Sequence, residues 1–597
     1  MKLYKRMLAF GLAAAMILGT AGTAFAVEGE TEPVAATAPT SKDPGKGNIS
    51  VTGIEAEDVD KAKVTAYKIV KPTFADEEAG AVVNGVTGWK LVDGIHIADL
   101  EADPKVTDAT IKQSEIYKIA QQIGAKKVTP FETVTLNKPD FKAEVTPGMW
   151  IVVATGTGTT IYNPVIVSVN YDNAMDITTK DGTISFGDEY SDTAVMKSSK
   201  IPVIKKAKNK TDGDEEKADG KATDAEIGDT ISFSIDTTIP AYGAAQTTTK
   251  TSETTGEDGT TETVTEYVSA YTHPKFEISD AVTKGLEIQT DTIKLQESDD
   301  GTSYTDVDEK NYTVDPKETG KFTIKLKEDY IVANPAKEVR VVYEALVTED
   351  ADYNFDEETN TGKVTFSNDP TNEESVGEEE DKTYHYTFAI NAELDKDSGS
   401  QLLKKKTTDV VKVNDKGEVI AEISSDKQEE TITMKDGKTP VENAVFMLCK
   451  DKAGTQVFKD DLTTNKDGYL TVNGLDADTT YYLIEKTAPK GYSLSTKITE
   501  VKIEAKYNEN GTLESYTIFF DGTAINEYKA TYSQTDPEVV EKVEYEQFGI
   551  FSLVNTPLPE LPSTGGMGTT IFYVLGSMLA VGAAVLLVVR RRMGSEN

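Results

Sequence analysis

The sequence predicts a mainly β protein with several sandwich domains in tandem between two hydrophobic ends. Short runs rich in β-branched and aromatic residues, each bounded by turn formers, recur from Asn48 to Val554, a spacing that suits packed antiparallel sheets. More than 500 residues lie between the two ends, enough at ~150 residues per domain for three or four domains. The apolar stretches near the two termini, Met7 to Leu18 and 569–589, are not counted in the folded core.

At the N-terminus Lys2, Lys5 and Arg6 precede the apolar stretch Met7 to Leu18, and Ala24, Phe25 and Ala26 form an A-x-A site. Residues 1–26 therefore read as a secretory signal peptide. Residues 27–47, Pro, Ala, Thr and Glu without an apolar period, read as a flexible leader. The first domain, 48–199, has strand-like runs at Val64 to Val70, Met149 to Ala154 and Pro164 to Val169. One helix interrupts them, with Ile116, Ile119, Ala120 and Ile123 on one face, Asp108 or Ser114 as cap and Gly124 as its stop.

The second domain, 200–393, opens with Val203 to Ala207, passes through the charged stretch Lys208 to Ala225, and resumes at Thr230 to Ile235. There Ile231, Phe233 and Ile235 share one face, the mark of a half-buried strand. A Thr- and Glu-rich insert, Gln246 to Glu266, reads as an exposed loop or long hairpin. Further strands follow at Phe276 to Asp280, Phe322 to Leu326, Val339 to Val347 and Lys363 to Phe366. The third domain, 394–556, contains Val410 to Val413, Ala444 to Cys449, Tyr481 to Glu485, Ile498 to Ile503, Tyr516 to Phe520 and Phe548 to Val554. Greek-key sandwiches of immunoglobulin type fit this pattern.

Residues 557–597 carry Leu561, Pro562, Ser563, Thr564 and Gly565, an L-P-x-T-G pentapeptide, then the run 569–589 and Arg590, Arg591 and Arg592. As a helix the run spans roughly 30 Å, enough to cross a bilayer, and the arginines would stay on the cytoplasmic side. Pro559 and Pro562 keep the pentapeptide extended, so another protein can read it as a strand-like ligand.

Composition excludes several functions. A net charge of -39 argues against nucleic acid and anionic lipid as partners. With Cys449 as the one cysteine, no intrachain disulfide can staple the domains. The three histidines, His96, His273 and His385, lack metal spacing, and no phosphate loop or nucleophile elbow is present. No enzyme turnover, metal or cofactor is expected.

Two interior stretches put polar groups where the strand pattern asks for apolar ones. Tyr481, Leu483 and Glu485 point to the same side of a strand, as do Phe276, Ile278 and Asp280. Asn555 extends the apolar row of Phe551 and Leu553. Asn360 shares a face with Gly362, Val364 and Phe366.

The stretch Tyr481 to Tyr492 resembles the E-box, Y-x-L-x-E-x-x-A-P-x-G-Y, of Gram-positive pilins and collagen-adhesin B-type domains. Pro440, Ala444 and Phe446 resemble that family's second strand, with Asn443 where a glycine is usual. Phe276 to Asp280 with Gly285 and Leu286, and Asn360 through Pro370, resemble the middle domains of such pilins. The tail resembles the wall-sorting signal of Gram-positive surface proteins.

The resemblance implies acids Glu485 and Asp280 that promote lysine–asparagine isopeptide bonds. In the third domain the acceptor is Asn555 and the amine Lys412, with Lys404 to Lys406 and Lys435 as rivals. In the second the acceptor is Asn360, with Asn368 as rival, and the amine Lys206, with Lys205 beside it. The physics is coherent, because burial disfavours the charged amine and keeps the carboxyl protonated, while folding supplies proximity.

It also implies that a sortase cleaves between Thr564 and Gly565 and passes the threonyl group to an amine on the next subunit, here Lys197, with Lys200 as rival. Backbone pilins carry Tyr-Pro-Lys-Asn at that place; here it reads Val-Met-Lys-Ser. The expectation is thus an elongated rod that forms the backbone of a covalent pilus. Its partners would be sortase, other pilin subunits, peptidoglycan and a host surface ligand, with no nucleic acid. The alternative is a wall-anchored adhesin or minor pilin that is not polymerised.

Overall fold

The computed structural model describes residues 46–74, 86–95, 105–107, 111–128, 130, 132–169, 177–179, 182–185, 191–213, 216–251, 261–390, 412–414, 421–423, 432–434, 441–465, 470–548, 552–556, 558 and 567–594. The signal peptide, the sorting pentapeptide Leu561 to Gly565, Lys404 to Lys406 and Lys435 lie outside them. The chain divides into two compact units, Met1–Thr387 with Tyr507–Thr512, and Phe388–Lys506 with Leu513–Asn597.

The first unit begins with strand Gly47–Thr52, set between Lys142–Val145 and, in parallel, Ser191–Val195. Its second sheet runs in the order Val86–Leu91, Lys63–Phe74, Gly148–Thr155, Val165–Val169. Ile49, Val51, Trp150, Val152 and Val167 fill the space between. The predicted helix is present at Gln113–Gly124 and buries Ile116, Ile119, Ala120 and Ile123. It ends at Gly124 as expected, but its start differs. Lys112, not Asp108 or Ser114, occupies the cap position, and Ser114 is buried within the first turn. Gly124 is the last helical residue, and a Cβ there would fall 2.1 Å from the Pro370 carbonyl oxygen, so close approach to the second domain accounts for the glycine.

The second domain is a two-sheet sandwich. One sheet orders Val203–Asn209, Thr230–Thr238, Glu338–Val347, Leu286–Ser298 and Thr305–Asp306. The other orders Ala222–Asp224, Val376–Tyr386, Glu358–Ser367, Phe276–Val282, Lys321–Leu326 and Tyr312–Glu318. Ile231, Phe233 and Ile235 are buried, as their alternation predicts. The Thr- and Glu-rich insert forms a hairpin, Gly243–Thr251 with Thr261–Ser269, whose registered pairs include Thr247 with Thr265. Part of the charged stretch is folded rather than a break, since Ala222, Thr223, Asp224 and Ala225 are buried.

The second unit is built on a seven-stranded sheet ordered Val457–Thr463, Val445–Cys449, Thr480–Thr487, Ile498–Tyr507, Leu513–Phe520, Thr523–Tyr532, Val540–Gln547. Phe388–Ile390, which the sequence places in the second domain, pairs instead with Val472–Leu475 of this unit. Asn443 sits at φ +65°. Asparagine tolerates that left-handed backbone better than other residues with a Cβ, which explains how it stands in for the usual glycine. The helix Met567–Met593 is long and apolar enough to cross a membrane by length and composition.

Candidate functional site

In the second domain Lys205 lies on the first strand, Val203–Asn209, and is fully buried. Asp280 projects from the facing sheet, and in register it opposes Gly362, two residues from Asn360. A Cβ at position 362 would crowd Ile235 at 3.0 Å and the Lys205 stem at 3.4 Å, so the glycine leaves room for the lysine between the sheets. The Lys205 Nζ donates to the Asp280 carboxylate and, at 2.7 Å, to the Tyr343 hydroxyl. Asn360 Nδ2 donates to the same hydroxyl at 2.8 Å. The amine also lies 5.2 Å from the ring centroids of both Phe233 and Tyr343.

Burial dominates the electrostatics. It pushes the Lys205 amine below its ordinary value and the Asp280 carboxyl above its own, although each is drawn back by the other. The Tyr343 hydroxyl is likewise held well above the phenol range by burial. Asp280 Oδ1 and Asn360 Oδ1 are buried without a hydrogen-bond partner. Two orphaned oxygens in a core are costly. A protonated acid would be the natural donor between them.

The amine at this site is Lys205 rather than Lys206. Lys206 shares strand parity with apolar Ile204, which would favour it if Ile204 faced inward, but Ile204 is 42% exposed, and the buried row is Lys205, Ala207 and Asn209. Lys206 is half-buried on the other face, where its stem would meet a Cβ at Gly220 at 3.1 Å. Asn368 is also elsewhere, donating to the Gly158 carbonyl at 2.9 Å and accepting from Ser375. Tyr343 was missed by sequence reasoning. Its signal is the alternation of Val339, Val341, Tyr343 and Ala345, which places a hydroxyl in a buried row.

In the second unit Glu485 and Asn555 are both buried and meet directly. Asn555 Nδ2 donates to Glu485 Oε1 at 2.5 Å and to the Ser493 carbonyl at 3.2 Å, and the Ser495 N–H donates to Glu485 Oε2 at 2.5 Å. Asn555 Oδ1 has no partner. The E-box turn holds the last strand through Ser493 N–H to the Thr556 carbonyl at 2.9 Å and Leu558 N–H to the Gly491 carbonyl at 2.8 Å. Strand Lys412–Asn414 runs parallel to Ser552–Val554, with Lys412 opposite Ser552, three positions before Asn555.

Near the end of the first domain Lys197 is exposed, in the two-residue step between Ser191–Val195 and Ser198–Lys200, and its carbonyl accepts from Asn163 N–H at 2.9 Å. Lys200 is engaged by Glu57 at 2.5 Å, and that contact holds its amine above the ordinary value. Among the described residues no cluster of His, Cys, Asp or Glu is arranged to hold a metal.

Comparison with known proteins matches residues 47–198 to the T6 antigen Ig-like domain, 430–517 to the SpaA prealbumin-like fold domain and 554–593 to the LPXTG cell wall anchor motif. Fold and tail together define a cell-wall-anchored surface protein of tandem β domains. More particularly, the chain is similar to the trypsin-resistant surface T6 protein of Streptococcus pyogenes serotype M6, at 22% identity over 92% of this chain and 98% of that one. The solved T6 backbone pilin of the same serotype has a similar three-domain fold, at TM-score 0.51 and 17% identity over 87% of this chain and all of that one. The Corynebacterium diphtheriae major pilin SpaA aligns over 86% of this chain and 99% of its own, at TM-score 0.39 and 15% identity.

Proposed function

We propose that the chain is the backbone subunit of a covalently polymerised pilus, joined by sortase, anchored to peptidoglycan and hardened by internal lysine–asparagine amides. The observation that carries this reading is the Lys205, Asp280 and Asn360 cluster, withdrawn from water between the two sheets of one sandwich. An amine and an acid buried together can exchange a proton and become the neutral pair, which leaves a nucleophile in place. Lys205 Nζ then attacks the Asn360 Cγ, Asp280 shuttles the amine proton to the departing nitrogen, and the C–N bond to ammonia breaks. Each bond forms once, so this is maturation rather than turnover.

In the second unit Glu485 serves Asn555 in the same way, and Lys412 is the amine the sequence favours. Between subunits, Thr564 is passed by sortase to Lys197, whose exposure suits an enzyme's approach better than the paired Lys200 does. Intact mass tests the internal chemistry. The two asparagine amides should together cost the mature chain two ammonia, and Asp280→Ala and Glu485→Ala should each abolish one of these losses. A mass equal to that of the processed residues would overturn the reading.

A further inference from the structure

Among the described residues two lysines are buried, Lys205 and Lys68. The second lies in the first domain, whose opening strand Gly47–Thr52 contains no lysine to join first strand to last. Lys68 occupies strand Lys63–Phe74 on the face of buried Val64 and Ala66, opposite Trp150. Its side chain runs over Trp150, with Nζ 4.7 Å from the ring centroid, and ends beside Glu132 and Thr146.

The contacts form a closed triangle. Lys68 Nζ is 2.7 Å from Glu132 Oε2 and donates to the Thr146 hydroxyl, and that hydroxyl donates to Glu132 Oε2 at 2.5 Å. The surroundings fix each corner. Lys68 N–H donates to the Glu132 carbonyl at 2.9 Å, and Trp150 Nε1 donates to the Thr146 carbonyl at 3.3 Å. Gly148 must lack a side chain, since a Cβ would lie 2.4 Å from the Val70 carbonyl and 3.2 Å from Lys68 Cε. Burial pushes the Lys68 amine below its ordinary value, against the pull of Glu132.

We propose that Lys68 and Glu132 are joined by a side-chain amide in the mature protein, a cross-link that releases water rather than ammonia. Thr146 first relays the ammonium proton to the carboxylate, leaving a neutral amine and a neutral acid. Lys68 Nζ then attacks Glu132 Cδ. Thr146 accepts the second amine proton and gives its own to the departing hydroxyl, the Cδ–O bond breaks, and one water leaves. No oxidant or co-reactant is needed. Proximity supplies the driving concentration, the half-buried Glu132 side chain lets the water escape, and the product removes a costly buried charge.

The bond would tie Lys63–Phe74 to the segment entering Thr133–Thr135, closing the loop that carries helix Gln113–Gly124. That helix contacts the second domain's hairpin, with Lys118 Nζ donating to Gln246 at 2.6 Å. The cross-link is independent of the two asparagine amides, because it differs from them by the mass lost. Tryptic mapping of the purified mature chain tests it. The expected product is a branched peptide uncut at Lys68, joined to the Glu132 peptide and lighter by one water, and Thr146→Val should slow its closure at least about tenfold on refolding. Separate linear peptides ending at Lys68 and containing free Glu132 would overturn the bond. Undiminished closure in Thr146→Val would overturn the relay.

Discussion

One side-chain position decides the middle-domain site, and its neighbour is a built-in control. Lys205→Arg should abolish the amide to Asn360, since guanidinium is not a nucleophile at any ordinary pH, whereas Lys206→Ala should leave the loss of ammonia unchanged. His385, beside this site, gives a second residue-level test. It is buried between Thr223 and Thr383, and burial, aided by the Lys205 charge, holds its imidazole at about 3. Because the folded value is depressed, the unfolded chain takes the proton first as pH falls. The contribution to stability is therefore whole above about 6.5, the ordinary value, and is lost as pH falls toward about 3. His385→Gln keeps the hydrogen bonds without the titration, so its urea midpoint should fall less between neutral and acid pH than that of the native chain. Equal slopes would contradict this.

At the scale of elements, strand alternation made Glu485, Asp280, Asn360 and Asn555 legible, because a polar residue in an apolar row stands out against a period of two. The same rule misplaced the lysine, since Ile204 is apolar yet exposed at the sandwich's edge. Lys68 obeyed the rule, lying in row with Val64 and Ala66, but its carboxylate partner lies 64 positions along and no local pattern joins them. Gly124 was legible as the helix stop, but not the reason for it, because the choice of glycine is made by Pro370 in another domain. Gly124→Ala should therefore destabilise the first unit by about 1–3 kcal/mol, as overpacking does, although alanine is the better helix former. Calorimetry would check it, and a stabilised variant would show that the helix does not depend on this approach. Closing a loop from Lys205 to Asn360 would add about 5 kcal/mol on a chain-entropy estimate.

For the whole molecule, the sequence alone supported a β-rich, wall-anchored chain, since that depends on composition and on motifs that act unfolded. The acceptor lysine was the weak point, because the proposed acceptor, Lys197, would be read by another enzyme and owes nothing to a core. Lys197→Arg should collapse the ladder of high-mass bands in a denaturing gel of wall extract to a single anchored band. A ladder that persists in this variant would move the junction to another lysine, and a native chain without a ladder would favour the unpolymerised adhesin.

The central claim is that amide bonds between side chains close these domains, and peptide mapping of the native chain tests it most directly. The account predicts one branched peptide in which Lys205 is joined to Asn360 with the loss of one ammonia. Recovery of Lys205 and Asn360 on separate, unmodified peptides from correctly folded protein would contradict it.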